Sequence, residues 1–191
     1  GAQLEENSYS TSYIPTSGVI STRLQDIANN SGNASLINSE EGVLYAEISA
    51  LANDISKRFI MLTDDSGANR VEISYWNSSN MIQTWVQSSS SLQYYHREVV
   101  SNIKDIIKVA ISYKNNDFST YINGVKVNSQ LSANAPLINT LNKVEFRNSA
   151  GVDNFYGKTK ALAVYKTALT DASLRSLTYP PAVATTFDLD F

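Results

Sequence analysis

The chain contains no cysteine, which excludes disulfides, thiolate metal sites and cysteine nucleophiles. It has one histidine and four prolines, and only 17% of its residues are charged. The net charge is -3 and the 15 Lys and Arg residues are scattered, whereas nucleic-acid binding needs a clustered basic surface. No apolar run approaches the roughly 20 residues that span a bilayer. We therefore expect neither nucleic-acid binding nor membrane insertion.

Polar uncharged residues and tyrosine dominate what is present. Ser, Asn and Thr are abundant and there are 11 tyrosines among 191 residues. Such a composition suits sheet surfaces and loops that meet neutral ligands such as sugars, and it suits a charged partner less well. A chain of this length buries roughly 70% of the surface that its unfolded form exposes, so it can fold as one unit without disulfides.

Apolar and polar residues alternate along most of the chain from residue 42 onwards. Val71, Ile73 and Tyr75, for example, alternate with Glu72 and Ser74. This period of two is typical of antiparallel strands with one buried face and one face exposed to water. The predicted strands are Gly42–Leu51, Arg58–Thr63, Asn69–Trp76, Met81–Gln87, Leu92–Val99, Ile106–Tyr113, Phe118–Ile122, Val125–Val127, Val144–Arg147 and Phe155–Lys166.

Local signals place one hairpin and one helix. Asn123-Gly124 between two β-forming runs predicts a type I′ turn, because both central residues of that turn need positive φ. Thr170 is a predicted helix N-cap, with Leu169 and Leu174 at the spacing of a hydrophobic staple. Many short strands with one late helical turn predict an all-β fold. We expect a two-sheet antiparallel jelly-roll sandwich with one short helix near the C-terminus.

The two ends of the sequence carry weaker patterns. The first 26 residues are expected to form an extended linker or edge segment, and residues 27–191 the sandwich itself. The last residues, Thr185–Phe191, alternate again and are expected to close a sheet edge. No internal repeat is visible.

The segment from Gly42 to Thr178 resembles the concanavalin A-like, laminin G-like jelly-roll superfamily. Three runs carry the resemblance: Ile107–Tyr113, Phe118–Val127 and Gly157–Thr178. A strand ending in Ser-Tyr precedes a Tyr-Ile-Asn-Gly-Val hairpin, and later a glycine opens a long strand that leads into a short helix. The resemblance implies the sandwich fold and says little about function, because these runs serve packing and turns.

The N-terminal run Gly1–Thr16 resembles a junction in multidomain bacteriophage structural and tail proteins. This implies that the chain is a piece of a larger virion or prophage protein. Its partners would then include other domains or subunits of the same virion or surface protein. Its location would be the virion, the cell surface or the extracellular space.

Several enzymes share this sandwich, and each type has a characteristic motif. Glucanase-type members resemble one another in a Glu-x-Asp-x-x-Glu strand, whose carboxyl groups act about 5–5.5 Å apart in retaining chemistry. No such triplet occurs here, and Glu72 has no acidic partner two or four residues on. The adjacent pairs Glu40-Glu41 and Asp64-Asp65 would point to opposite faces of a strand.

Alginate-lyase-type members resemble one another in an Arg-x-Glu-Leu-Arg strand and a Gln-x-His strand. Here Gln93 lies three residues before His96, the wrong spacing, so we expect no enzyme.

Aromatic rings and hydrogen-bonding side chains on neighbouring strands indicate a sugar-binding surface. Trp85 is the central candidate, because both of its neighbours at i±2 are glutamine and a core tryptophan would share its face with apolar residues. The predicted ligand-binding residues are Trp76, Gln83, Trp85, Gln87, Tyr95, Arg97 and Arg147. Alternatively, Trp76 and Trp85 fill sandwich edges or contact other subunits.

Loop acids are candidate calcium ligands. Laminin G-like domains often bind calcium through loop Asp, Asn and carbonyl oxygens, of which calcium needs six to eight. Asp64, Asp65, Asp153 and Asn154 are the predicted metal-site residues. Ordinary Asx-turns explain the same residues without a metal.

The sequence thus favours a non-catalytic carbohydrate-binding, lectin-like module of a phage or bacterial surface protein, with a glycan or polysaccharide as its partner. One alternative is a structural or decoration domain that makes protein–protein contacts and binds no sugar. A polysaccharide-degrading enzyme is the least favoured alternative, because its carboxylate motif is missing.

Overall fold

The alternating segments pair into two antiparallel sheets in a computed structural model, which describes residues 15, 17–19, 31–64 and 66–180. Ten strands lie within these ranges. They are β1 (Glu41–Ala50), β2 (Arg58–Thr63), β3 (Arg70–Tyr75), β4 (Met81–Ser88), β5 (Ser91–Val99), β6 (Ile107–Lys114), β7 (Phe118–Ile122), β8 (Val125–Gln130), β9 (Lys143–Glu145) and β10 (Gly157–Tyr165). One sheet has the order β10-β1-β6-β7-β8 and the other β5-β4-β3-β2-β9. The predicted all-β sandwich is confirmed.

The core lies between the sheets and is built from the inward parity of each strand. Leu44, Ile48, Ile60, Ile73 and Ile111 are fully buried in this one cluster. Val71, Ile73 and Tyr75 of β3 belong to the same cluster, so the alternation predicted for this strand is confirmed. Burial of so many aliphatic side chains supplies most of the driving force for folding.

A small polar and aromatic group also joins the two sheets. The hydroxyls of Thr84 in β4 and Thr120 in β7 lie 2.7 Å apart, and the Tyr94 hydroxyl donates to Thr120 Oγ1 at 2.9 Å. The Tyr94 ring stacks on Phe118 with centroids 5.7 Å apart. These buried hydroxyls satisfy one another, so they stabilise one packing of the sheets without leaving an unpaired group.

A helix covers the outer face of the β10-β1-β6-β7-β8 sheet, which we call the covered sheet. Helix α1 (Asp171–Thr178) places Leu174 in a second apolar cluster with Val43, Tyr45 and Tyr121. Thr170 caps α1 as predicted, since its Oγ1 accepts from Ser173 N at 3.3 Å. The helix ends at Thr178, directly before the Tyr179-Pro180 pair that predicts its end, and Leu177 also packs on this cluster.

The hairpin and most strand bounds agree with the sequence. Asn123 and Gly124 have φ values of 48° and 82°, as a type I′ turn requires. β8 is longer than predicted and β9 ends at Glu145. Most of residues 1–26, and all of Thr185–Phe191, lie outside the described residues, so the linker and the closing strand stay predictions. Within the described ranges, no helix has the length and apolar character that a membrane crossing requires.

Gly42 is fixed by the close approach of its neighbours in β1. A Cβ at this position would lie 2.5 Å from the carbonyl oxygen of Tyr165 and 2.7 Å from the hydroxyl of Tyr113. Because the first of these atoms is backbone in the paired strand β10, it cannot move without disturbing the sheet. We expect Gly42→Ala to lower the free energy of unfolding by about 2–3 kcal/mol, measured by urea denaturation. A loss below about 0.5 kcal/mol would show that the two strands have room for a methyl group.

Candidate functional site

The outer face of the second sheet, β5-β4-β3-β2-β9, has no helix over it among the described residues. We call this sheet the open sheet and its outer surface the open face. Strand register arranges its side chains in three rows, because residues paired across strands point to the same side. The rows are Tyr95-Trp85-Glu72-Met61-Glu145, Arg97-Gln83-Ser74-Phe59 and Leu92-Gln87-Arg70-Thr63-Lys143.

The middle of the open face is buried, which corrects the expectation that the second face of these strands is exposed to water. Glu72 is 2% exposed, and the predicted binding residue Gln83 is 1% exposed. The long side chains of neighbouring tryptophan and arginine residues contact one another across the sheet and so shield the shorter groups between them. The open face therefore has a buried polar layer beneath a layer of rings and cations.

A chain of hydrogen bonds organises the buried layer. Glu72 Oε1 accepts from Ser74 Oγ at 2.8 Å and from Gln83 Nε2 at 2.9 Å. At its other end, Gln83 Oε1 accepts from Arg97 Nε at 3.0 Å. Because both ends of the Gln83 amide are engaged, its orientation is fixed. Glu72 thus positions Arg97 through Gln83.

Trp76 and Tyr95 hold the guanidinium of Arg97 from the side. The Arg97 Cζ lies 4.3 Å from the centroid of the Trp76 ring and 5.1 Å from that of Tyr95. The ammonium of Lys57 also lies 4.3 Å from the Trp76 centroid. Cations are attracted to the electron-rich faces of such rings. Trp76 therefore supports two cations.

Trp85 lies in the row beside that of Arg97, and it too has a cation near its ring. Its ring meets Tyr95 edge to face, with centroids 5.5 Å apart, and the Arg70 Cζ lies 5.3 Å from its centroid. Its indole Nε1 donates to Gln87 Oε1 at 3.3 Å, and Gln87 Nε2 donates to the Gly67 carbonyl at 2.9 Å. Of the two glutamines that flank Trp85 on this face, Gln87 therefore bonds to its indole.

The structure brings six of the seven predicted binding residues together on β3, β4 and β5 or immediately beside them. The seventh, Arg147, follows β9 at the opposite edge, where its Nε donates to Glu145 Oε2 at 3.0 Å. Sequence reasoning did not include Arg70, Glu72 and Glu145 in the site. The parity of Arg70 and Glu72 with Trp76 was a usable signal. The alignment of Glu145 with Glu72, through Met61 of β2, depends on strand register.

A family model described as the concanavalin A-like lectin/glucanases superfamily, laminin G type, matches residues 31–175 of the chain. The chain belongs to this superfamily. Its two five-stranded antiparallel sheets and the packing between them agree with that membership. A comparison with curated protein sequences gives no match.

Solved structures resemble this concanavalin A-like domain at low sequence identity. The CBM40 of the Ruminococcus gnavus IT-sialidase, bound to α2,3-sialyllactose, has a TM-score of 0.64 and 13% identity, over 82% of this chain and 96% of that one. Domain 4 of the extracellular arabinanase AbnA from Geobacillus stearothermophilus, in complex with arabinotriose, has a TM-score of 0.59 and 15% identity, over 77% and 70%. A pentraxin from Limulus polyphemus has a TM-score of 0.57 and 14% identity, over 78% and 74%. At these identities the likeness establishes the fold.

The described loop acids of the concanavalin A-like domain accept hydrogen bonds within their own loops. Asp64 accepts from Ser66 and Asn69 through both carboxylate oxygens, and Asp153 Oδ2 accepts from Asn148 Nδ2 at 2.9 Å. No group of three or more His, Asp or Glu side chains in residues 31–64 and 66–180 is placed to hold a metal. Asp65 lies outside the described residues, and no described contact of Asn154 points to a metal, so the calcium site stays a prediction.

The histidine and the two carboxylates of the open face each have a partner. His96 Nε2 lies 2.9 Å from Glu98 Oε2. Glu72 and Glu145 share a row, but Glu145 is 1% exposed and bound to Arg147, and Glu72 is bound to Ser74 and Gln83. Neither carboxylate reaches the surface where a substrate would bind.

Glu72 gives the domain a pH-dependent stability. Burial raises the pKa of its carboxyl above the usual value, although hydrogen bonds from Ser74 and Gln83 and the charge of Arg70 oppose this. A carboxyl with a raised folded pKa binds its proton more tightly in the folded state. Its contribution to stability is therefore complete below the unfolded pKa of about 4.3 and is lost as pH rises through the folded pKa.

We expect the free energy of unfolding of the wild type to fall, relative to Glu72→Gln, as pH rises from about 4 to 7. Glutamine has the shape of the glutamate side chain but does not titrate, so the Glu72→Gln variant is the matched reference for the wild type. Urea denaturation of both proteins across this range checks the prediction. A difference that is constant with pH would contradict it.

Proposed function

We propose that this domain is a non-catalytic, lectin-like module that binds a glycan on the open face. The observation that carries the proposal is the contrast between the two outer faces of the sandwich. Helix α1 packs over the covered sheet, whereas the open face presents aromatic rings and fixed hydrogen-bonding groups. Sugar sites in proteins combine these same two kinds of group.

The open face is preorganised, which favours binding. Gln83 and Gln87 are each held by a second partner, and the Trp85 and Tyr95 rings are in edge-to-face contact. Side chains that are already ordered lose little conformational entropy when a ligand binds. Tyr95 and Arg97 remain exposed at the outer end of this arrangement, where a ligand would reach them.

The structural relatives support the same proposal. Two of them are a carbohydrate-binding module with sialyllactose and an arabinanase domain with arabinotriose. One fold can carry many functions, so the proposal depends on the open face of this chain. The two relatives add support to it.

The absence of catalysis is part of the proposal. The two carboxylates of the open face are buried and engaged, and the single histidine pairs with Glu98. General acid–base catalysis needs a group within hydrogen-bond reach of the substrate, and the buried positions of Glu72 and Glu145 give neither carboxylate that reach.

We also propose an extracellular, cell-surface or virion setting for the domain, with other domains or subunits of the same protein as partners. The support is the resemblance of Gly1–Thr16 to a junction in phage structural proteins, of which only Pro15 belongs to the described residues.

A structural role without sugar binding is the second candidate function. Three large apolar side chains of one loop segment favour it, since Leu131, Leu137 and Ile138 are 62–73% exposed. Exposed apolar residues grouped in this way are common at protein–protein contacts. This candidate predicts self-association that weakens when Leu137 and Ile138 are replaced by serine.

A glycan array followed by calorimetry of the purified chain tests the proposed function. The panel covers neutral and acidic oligosaccharides and polysaccharides, with calcium and again with a chelator. We expect saturable binding of at least one glycan that does not depend on calcium. A folded protein that binds no member of the panel, and that self-associates, would favour the structural role instead.

A further inference from the structure

The open face is basic, although the protein is acidic. Five cationic side chains belong to it among the described residues, against the two carboxylates Glu72 and Glu145. The cations are Lys57, Arg70, Arg97, Lys143 and Arg147. The whole chain has 15 basic and 18 acidic residues. A surface of opposite sign to the rest of the molecule attracts ligands of the sign that the molecule as a whole repels.

Two of the three arginines on this face already have an ionic partner. Arg70 Nε lies 3.4 Å from Glu72 Oε2, and Arg147 Nε lies 3.0 Å from Glu145 Oε2. Arg97 differs, because no carboxylate in the described part of the chain lies within ion-pair distance of it. Its side chain is also exposed.

The contacts of Arg97 leave its outer edge for a ligand. Its Nε is bound to Gln83 and its plane lies near Trp76 and Tyr95, while no described residue accepts from its two terminal nitrogens. A guanidinium held in this way presents two parallel N–H donors. That geometry matches the two oxygens of a carboxylate.

The surroundings of the aromatic rings also favour an anionic ligand. A face built only to stack neutral sugar rings would leave its aromatic surfaces uncovered, but Trp76 has two cations within 4.3 Å of its centroid. On this face the rings hold cations in place. This reverses the expectation from composition that a neutral sugar is the better ligand.

We propose that the glycan bound at the open face carries a carboxylate, as a uronic or sialic acid does, and that the terminal nitrogens of Arg97 bind it. Tyr95 and Trp85 contact the sugar ring beside the carboxylate. Trp76, Gln83 and Glu72 are positioning residues, which hold the guanidinium of Arg97. This inference rests on the proposed glycan-binding function and narrows it to acidic sugars.

Matched pairs of probes test the inference by calorimetry with the full chain. One pair is polygalacturonate and its carboxyl-reduced form, and the other is 3′-sialyllactose and lactose. Dextran sulfate is added as a polyanion without carboxylates. We expect at least one acidic probe to bind, with its neutral counterpart and dextran sulfate at least 10-fold weaker.

Variants of the chain locate the contact. Arg97→Gln is expected to weaken binding of the acidic probe about 10- to 100-fold, and Arg97→Lys by an intermediate factor, because lysine keeps the charge but not the paired donors. Arg175→Gln, on α1 over the opposite sheet, makes the same change in net charge and is expected to alter binding less than 2-fold. Thermal unfolding confirms that each variant is folded, and the probe pairs remain informative if one is not.

Each alternative outcome has a distinct meaning. Equal binding of the neutral counterparts, or unchanged affinity in folded Arg97→Gln, overturns the acidic-sugar inference and leaves the glycan-binding function standing. Equal binding of dextran sulfate overturns the assignment to a carboxylate. Binding of no glycan, neutral or acidic, overturns the proposed function together with the inference.

Discussion

Replacing Trp85 with alanine is expected to weaken glycan binding at least 30-fold while the protein stays folded. Trp85 stands between Tyr95 and Arg70 on the open face, and its indole also orients Gln87. Truncating a central aromatic residue of this kind to alanine costs about 2–4 kcal/mol of binding free energy. The inward residues of β4, Ile82 and Val86, are untouched by the change, so the core remains intact.

The control for this variant is Tyr179→Ala. Tyr179 is an exposed aromatic residue that follows α1 and contacts Gly124, away from the open sheet. Its removal is expected to leave the affinity within 2-fold of the wild type. Calorimetry with the best ligand of the glycan panel measures both variants, and circular dichroism checks the fold. Equal losses in the two variants would place the binding site elsewhere.

Replacing Asp54 with alanine is expected to destabilise the fold by about 2–3 kcal/mol. Arg58 is 3% exposed and has the inward parity of Ile60 and Leu62, so its charge is held beside the core. Its Nη2 donates to both oxygens of Asp54, at 2.7 and 2.9 Å. Without Asp54 this cation is left buried and unpaired. The expected value is below the top of the range for buried pairs, because 46% of the Asp54 side chain is exposed.

A double variant separates loss of the pair from loss of packing. Asp54→Ala with Arg58→Met removes both charges and keeps an unbranched chain at the buried position. Replacing a whole ion pair by apolar groups is often close to neutral, so we expect the double variant to regain most of the lost stability. Urea denaturation compares the three proteins. A double variant less stable than Asp54→Ala would contradict this account of Arg58.

The pair also has a pH dependence of defined sign. Burial alone would raise the pKa of Asp54, but hydrogen bonds from Arg58 and Ser56 outweigh it and hold the pKa below its usual value. The stabilisation by the pair is therefore present above the unfolded pKa of about 3.9 and is lost as pH falls through the folded pKa. Asp54→Ala should approach the stability of the wild type in acid.

The fold was predictable because its signals are local. Alternation assigns an inward and an outward set to each strand, as in Val71, Ile73 and Tyr75, and the strand needs no distant information for this. The Asn123-Gly124 turn and the Thr170 cap are likewise set by the preferences of single residues. All three features were seen in the structure where the sequence placed them.

The site was only partly predictable because its chemistry is cross-strand. That Trp85 and Tyr95 share a face follows from alternation and a short hairpin. That Gln83 links Glu72 to Arg97, or that Glu145 lies in the row of Glu72, depends on register between strands distant in sequence. Period-two alternation also predicted exposure to water for polar side chains that are in fact shielded. Alternation gives the direction in which a side chain points, but not whether longer neighbouring side chains cover it.

The two tryptophans of the chain give the most direct test of the central claim, that a glycan binds on the open face. Trp76 and Trp85 both lie there, so both indole N–H signals in a ¹⁵N-correlated NMR spectrum report on this surface alone. The account predicts that titration with a ligand from the glycan panel shifts one or both indole signals, with the affinity found by calorimetry, while the amides of α1 stay in place. Saturable binding that leaves both indole signals unmoved would contradict it.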